Sequence, residues 1–193
     1  MLTEVEARAL LASHVTLDAG WGAHSVAVAR SAGIIAEALH DAGADVSPST
    51  ARIAGLLHDI GRSETHDSID HLTAGHRILT ALGEPALAQI CLCHGFSGLT
   101  PAEAPLVGWP RADYRPRIWE ERAVTIADAL THGDRTVFLA DRLASVLERY
   151  QGLLAPERYA LLTGIEPKSR AIMAEMEALI GRPVEELCAA EPL

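Results

Sequence analysis

The sequence predicts an all-α fold, a single compact bundle of seven to nine helices, and three observations carry that prediction. Apolar residues recur at helical spacing along most of the chain. Nearly half of its residues are hydrophobic, led by alanine and leucine, while only 4% are aromatic, a balance that favours packed helices over a β-sandwich or barrel. No segment alternates apolar and polar residues strongly enough to define a sheet. The chain has 193 residues, which fits one domain over 1–193 with a substantial core.

The elements follow in order. Thr3 with Glu6 three residues on forms a capping-box pattern ahead of Ala7 to Leu11. A long helix is expected from about Gly20 to Ala42, ending near Gly43. At 100° per residue, His24, Val28, Ile35 and Leu39 fall within an arc of about 60°, so His24 lies on the inward stripe. Ser47-Pro48-Ser49 reads as a turn and helix start. The helix that follows carries Ile53, Leu56, Leu57 and Ile60 at core spacing, with Gly61 as its C-terminal cap. Arg62 to Asp70 is polar and loop-like. Two helices are expected at about His71 to Leu82 and Pro85 to His94, parted at Gly83.

From Gly95 to Pro116 glycine and proline are frequent and periodicity disappears, which predicts a mobile surface loop or an active-site cover. Helical patterning returns at about Arg117 to His132, Thr136 to Tyr150, and Pro156 to Ile180 with a break around Gly164 to Pro167. Gly181-Arg182-Pro183 ends it before a short tail. The last part of the chain, about 151–193, thus forms a C-terminal helical extension.

A formal net charge of −10 and a pI near 5.3 argue against a nucleic-acid polymer or an anionic membrane as partner. A small phosphorylated substrate remains compatible, because metal cations attract an anion locally. Cys91, Cys93 and Cys188 show no disulfide framework and suit a reducing cytosol. Cys91-Leu92-Cys93 resembles half a metal site, but helical residues two apart point to nearly opposite sides, so these cysteines are expected in the core. No charged-plus-apolar leader and no apolar run approaching the roughly 20 residues of a membrane span is present, and a cytoplasmic location is expected. Composition says nothing of oligomeric state.

The chemistry concentrates in isolated His and Asp residues on apolar segments. His58-Asp59 closes the run Ile53-Ala54-Gly55-Leu56-Leu57, where an ionised carboxylate is costly to bury unless it is paired or binds a metal. The negative end of a helix dipole favours a cation at that position. Asp128 interrupts Val124-Thr125-Ile126-Ala127, and His24 lies on a core face. His71 and His94 sit near helix ends. His24, His58, Asp59 and Asp128 could hold one ion, and His71 with His94 a second, Asp59 bridging the pair. Each residue alone has a plainer reading as a satisfied core histidine, a helix cap or a hydrogen-bonded carboxylate; the ordered set points to metal.

That ordered set resembles the HD-domain metal-dependent phosphohydrolase superfamily, whose pattern is H…HD…D within a helical bundle. His24, His58, Asp59 and Asp128 match it in order, and His58-Asp59-Ile60-Gly61 matches the HDIG form of its central motif. The match runs from about His24 to Leu143. His71 and His94 match the two extra histidines of the binuclear branch, which includes hydrolases of diadenosine tetraphosphate and cyclic-dinucleotide phosphodiesterases. After His94 the Gly-Tyr-Pro signature of the cyclic-dinucleotide branch is replaced by Gly95-Phe96-Ser97, which argues against that activity. The motif of the diadenosine-tetraphosphate branch after its final aspartate is not reproduced by Ala129-Leu130-Thr131-His132. Arg62 stands where family members commonly have lysine, and offers bidentate geometry.

The resemblance implies hydrolysis of a small phosphate ester or anhydride, a nucleotide or dinucleoside polyphosphate, aided by one or two divalent ions. Iron, manganese, cobalt, nickel and zinc all suit the ligands, with iron or manganese favoured. Asp59 would bridge the ions or orient the nucleophile and Arg62 would neutralise phosphoryl charge. His132, placed four residues after Asp128 on one helix face, is the candidate proton donor. Arg111 and Arg115, with Arg117 beside the long loop, are candidate substrate contacts. Trp21 and Trp109 are expected as core anchors.

Two rival readings remain at this point. Some HD-domain proteins are di-iron oxygenases that cleave small organophosphonates or polyols. The phosphonate-cleaving ones carry Tyr and Glu ahead of the first histidine, whereas Asp18 to Ala23 has neither. The other rival is a non-catalytic, metal-stabilised nucleotide-binding module.

Overall fold

The computed structural model describes residues 2–189 and is built mainly of helices, as the composition favours. Helices α1 (Glu4–Ala12), α2 (Gly20–Asp41), α3 (Pro48–Leu57), α4 (Asp70–Ala81) and α5 (Pro85–Cys93) fill the first half. The second holds α6 (Trp119–Ala129), α7 (Leu139–Tyr150), α8 (Pro156–Thr163), α9 (Ile165–Ile180) and the six-residue α10 (Val184–Ala189). The all-α prediction holds. Its expected range of seven to nine corresponds to the helices α1 to α9 of eight residues or more among the described residues, and α10 stands where a tail was expected.

The capping box at Thr3 forms as its pattern predicts, Glu6 N–H donating to the Thr3 hydroxyl and Thr3 N–H to the Glu6 carboxylate. Ser47 caps α3 and Pro48 occupies its first turn, where a missing N–H costs nothing. The main core runs between α2, α3 and α6, with Val28, Ile35, Leu39, Leu56, Leu57 and Ile126 fully buried. Gly55 makes the α2–α3 approach possible. A Cβ there would lie 2.6 Å from the Ala29 Cα, so a side chain at 55 would push apart the helices that carry His24 and His58.

Three local readings are corrected. α3 ends at Leu57, with His58 as its C-cap, rather than running on to a cap at Gly61. Residues Ile60–Ser63 form a 3-10 turn, and Gly61 serves as a packing point: a Cβ there would sit 1.9 Å from the His71 carbonyl oxygen and 2.5 Å from Gly75 N. α6 stops at Ala129, and residues 131–136 form a small antiparallel hairpin pairing Thr131 with Thr136 and His132 with Arg135. The two-residue Gly133-Asp134 link was a readable hairpin signal that the helical pattern around it masked.

The stretch 95–116, expected as a mobile surface loop or an active-site cover, packs into the fold and brings Phe96 and Val107 to the cleft described below. It contains 3-10 turns at Gly95–Ser97 and Ala104–Val107, and Leu99, Ala104, Val107 and Trp109 join Leu72, Leu92 and Leu161 in a second apolar cluster. Trp109 is thus a core anchor, as expected, while Trp21 packs on the main core and also faces the cleft described below. Cys91, Cys93 and Cys188 are free and buried, and burial pushes the Cys188 thiol up to about 12. Among the described residues no helix is long and apolar enough to cross a membrane.

Candidate metal centre

Six side chains from five parts of the chain meet at one end of the bundle. His24 comes from the second turn of α2, His58 and Asp59 from the end of α3, His71 from the start of α4, His94 from the end of α5 and Asp128 from the last turn of α6. The sequence-predicted ligand set is therefore brought together complete. Its geometry divides into two donor groups, His24 with His58 and Asp59, and Asp59 with His71 and His94. Within each group the donor atoms all lie within 4.8 Å of one another. Asp59 is common to both, and Asp128 Oδ1 stands beside the first group, 3.0 Å from His24 Nε2 and 3.9 Å from His58 Nε2.

The hydrogen bonds around the histidines fix their chemistry. A carbonyl oxygen only accepts, so an imidazole nitrogen facing one must carry the proton. His58 Nδ1–H donates to Gly55 O at 2.7 Å, His71 to Asp67 O at 2.7 Å, His94 to Ile90 O at 3.0 Å and His24 to Gly133 O at 2.9 Å. All four rings thus turn Nε2 inward. In a neutral imidazole that nitrogen is a lone-pair acceptor, the form that binds a transition metal.

Those inward nitrogens face carboxylates. His71 Nε2 lies 3.0 Å from Asp59 Oδ1, and His94 Nε2 3.7 Å from the same oxygen. Two acceptors at 3 Å repel unless a proton or a cation lies between them. His58 Nε2 is the sharpest case. It is buried, has no hydrogen-bond partner, and stands 3.9 Å from both Asp59 Oδ2 and Asp128 Oδ1. An orphaned buried nitrogen amid converging carboxylates fits a metal ligand better than a structural histidine.

The electrostatics agree. Burial lowers the His58 pKa to about 4 despite the Asp59 charge, so its ring is neutral and able to ligate at neutral pH. Burial alone would raise the Asp59 pKa, but the charge of His58, hydrogen bonds to His71 and His94 and the Arg62 guanidinium hold it well below the usual carboxylate range. Asp128 is likewise held low, with burial outweighed by its His24 bond and by the His24 and His58 charges. For His24 and His94 burial is outweighed in turn, by the bonds to Asp128 and Asp59 respectively, and both are raised. Two carboxylates stay ionised, Asp59 buried and Asp128 half-buried beside it, in a setting that calls for positive charge.

The sequence alignment decides the family. The HD domain profile matches residues 21–145, well over half of the chain and enclosing all six side chains. This chain belongs to the HD domain family. Among relatives of this HD domain protein, an uncharacterized protein of Methanocaldococcus jannaschii is 41% identical over 119 residues, 61% of this chain and 70% of that one. A tRNA (cytidine(56)-2'-O)-methyltransferase of Picrophilus torridus is 36% identical over 112 residues, 56% of this chain. Its counterpart from Thermoplasma volcanium is 34% identical over 109 residues, again 56% of this chain. The chain spans under a third of either methyltransferase, 31% and 30%. No solved structure matches it.

The remaining predicted residues fare unevenly. Arg62 is at the centre, its Nε donating to Asp59 Oδ2 and its Nη2 3.4 Å from His71 Nε2. His132 faces the same cleft, though from the exposed hairpin and not from the helix face that had suggested it. Arg111 and Arg115 do not reach the cleft. Arg115 instead forms a two-pronged pair with Asp113 at 2.9 and 2.8 Å, with Arg117 3.7 Å from the same carboxylate, because the 95–116 stretch folds down into its own cluster.

Sequence reasoning missed Gly133, whose carbonyl orients His24, and the arginines that do line the cleft. Arg142 and Arg149 on α7 and Arg158 on α8 face it, together with His66. Their signal was the seven-residue spacing of Arg142 and Arg149, two turns apart on one helix face. The cleft itself encloses about 700 Å³ above the donor groups.

Proposed function

We propose that this HD domain is a metal-dependent phosphohydrolase acting on a small phosphate ester or anhydride, a nucleotide or a dinucleoside polyphosphate. One observation carries the reading: two donor groups share a single buried aspartate at the floor of a cleft whose walls carry arginines. A binding scaffold needs no such pair. His24, His58, Asp59 and Asp128 would hold one divalent ion, and Asp59, His71 and His94 a second. When bound, such ions lower the pKa of water and polarise a phosphoryl oxygen. Imidazole and carboxylate donors suit iron, manganese, cobalt, nickel or zinc, with iron or manganese favoured.

The chain's own groups supply the rest. The Asp59 carboxylate stays ionised, fixed by Arg62 and the inward histidines, and so keeps the floor of the cleft negatively charged towards cations. Arg62 uses its Nε on Asp59, and its terminal N–H groups would neutralise charge on a phosphoryl group bound beside Asp59. As the phosphorus–oxygen bond to the leaving group breaks, His132, which lines the cleft, would return a proton to that oxygen.

A formal charge of −10 supports a small phosphorylated ligand over a nucleic-acid polymer or an anionic membrane. Three buried free thiols support a reducing, cytoplasmic setting. Methyl transfer is not carried over from the tRNA methyltransferases, because the shared segment is under a third of either protein.

The test is release of phosphate or nucleotide by protein reconstituted with ferrous iron, manganese or cobalt. The panel holds mononucleotides, diadenosine polyphosphates and cyclic dinucleotides, with Asp59→Ala as control. Turnover by the wild type and loss of at least about 100-fold in the variant, beyond the usual effect of a residue behind the ligands, is expected. Metal content should fall in the variant while helical circular dichroism is kept. Silence of the fully metallated wild type sinks the proposal, and oxygen consumption dependent on substrate and ferrous iron would point to the di-iron oxygenase instead.

A further inference from the structure

The cleft extends well past the donor groups, and its far wall is built by helices that the family profile reaches only in part. α7 presents Arg142, Val146, Arg149 and Tyr150 to it, a run at i, i+4, i+7 and i+8 that forms one stripe. α8 adds Arg158. Arg149 and Arg158 lie beyond residue 145, where the HD domain match ends.

The charges of this cleft are uneven. Its two central carboxylates, Asp59 and Asp128, are already committed to Arg62 and the histidines. Arg142, Arg149 and Arg158 form no ion pair with a carboxylate among the described residues. Arg158 donates through Nε to Leu106 O at 3.1 Å, and its charge also acts on Asp67. In a chain of net charge −10, three guanidinium groups lining one wall with no carboxylate in ion-pair contact, Asp67 acting on Arg158 only at longer range, leave positive charge that an anion would neutralise.

The wall also has a length. Arg142 shares a recess with His94 and Asp128, which places it beside the donor groups. Arg149 lies seven residues further along α7, roughly 10 Å at the helical rise. Ile69, Leu72, Phe96 and Leu162 give the cleft an apolar side as well, suited to a nucleoside more than to bare phosphate.

Resting on the hydrolase reading, we propose that Arg149 and Arg158 form a second anion subsite that selects substrates bearing a non-reacting phosphate beyond the one cleaved. The class is nucleotides with two or more phosphates, whether the second is carried on the ribose or in a polyphosphate chain. Arg142 and Arg62 then face the reacting group, and guanidinium forks are the side chains best matched to phosphate.

Calorimetric binding of AMP, ADP and adenosine 3',5'-bisphosphate to the metal-reconstituted protein tests this, alongside turnover of the same probes. The wild type is expected to bind at least one two-phosphate probe tenfold or more tighter than AMP. In the double variant Arg149→Ala with Arg158→Ala that gap should close to threefold or less, with the loss in KM more than in kcat where turnover is seen. Arg182→Ala, which removes the same charge away from the cleft, should keep the gap. Whichever two-phosphate probe shows the preference tells whether the second phosphate sits on the ribose or in the chain. Equal binding of all three probes by the wild type, or a gap that survives the double variant, overturns the subsite. Turnover without a gap leaves the hydrolase standing and removes the subsite. A gap in a protein that hydrolyses nothing does the reverse.

Discussion

The donor cluster and the cleft wall above it are held together by opposite means. In the cluster, three of four imidazoles are oriented by carbonyls three or four residues back in their own chain segment: His58 by Gly55, His71 by Asp67 and His94 by Ile90. Only His24 relies on a distant group, Gly133. The wall depends on ties across long stretches of chain. Ser97 and Ser169 hydroxyls meet at 2.7 Å, Lys168 donates to Gly98 O at 3.0 Å and pairs with Glu103 at 2.8 Å, and Arg158 reaches Leu106. The ring orientations at the reactive end are thus set mostly by local bonds, while the end that would choose a substrate depends on how the C-terminal helices dock.

The reactive end should tolerate little change in backbone spacing. Gly61→Ala puts a Cβ 1.9 Å from the His71 carbonyl oxygen, and neither atom belongs to a flexible side chain. The 3-10 turn and α4 must separate, at a cost of about 3 kcal/mol. His71 would move away from Asp59, so the second donor group should lose its ion before the first. The expected result is a lower urea midpoint and a fall in bound metal towards half. An unchanged midpoint with full metal content would show that the cluster does not depend on this contact.

A smaller effect is expected at the wall. Phe96 and Ser97 both have positive φ, 56° and 52°, which non-glycine residues adopt only when their surroundings hold them. The buried Ser97–Ser169 bond is the tie at that point. Ser169→Ala strands a buried Ser97 hydroxyl and should destabilise the protein by about 1–3 kcal/mol. Because Phe96 lines the cleft, KM should rise while metal content stays at the wild-type level. Loss of metal in this variant would mean that the two regions are coupled.

This difference also governs what could be read in the sequence. Asp59 and Asp128 were legible because a carboxylate inside an apolar helix has few explanations, and His24 because helical geometry alone put it inward. The fold class followed from periodicity, and the family match carries it. The 95–116 stretch was illegible because its structure comes from contacts with α4, α8 and α9 that no local pattern encodes. Arg111 and Arg115 looked available because no local pattern says which way that stretch faces, although Asp113, two residues before Arg115, was a readable partner for it. His132 reached the cleft, but by a hairpin that helical extrapolation had erased.

The smallest expected effect isolates one of those long-range ties. Lys168 is the chain's only lysine, and it joins Glu103 to the turn after Phe96. Burial would raise the Glu103 pKa, but the bond from Lys168 and those from Thr100 outweigh it and hold it below its ordinary 4.5. A carboxyl that is more acidic when folded adds stability above its unfolded pKa and loses it as pH falls through the folded value. Glu103→Gln should therefore cost about 0.5–1 kcal/mol at pH 7. Unfolding midpoints of variant and wild type should converge only as pH falls through the lowered folded pKa of Glu103, where both side chains become neutral. A gap that stays constant from pH 7 down to pH 3 would show that Glu103 acts through its shape and its bonds to Thr100 alone, and that the wall is held without this charge.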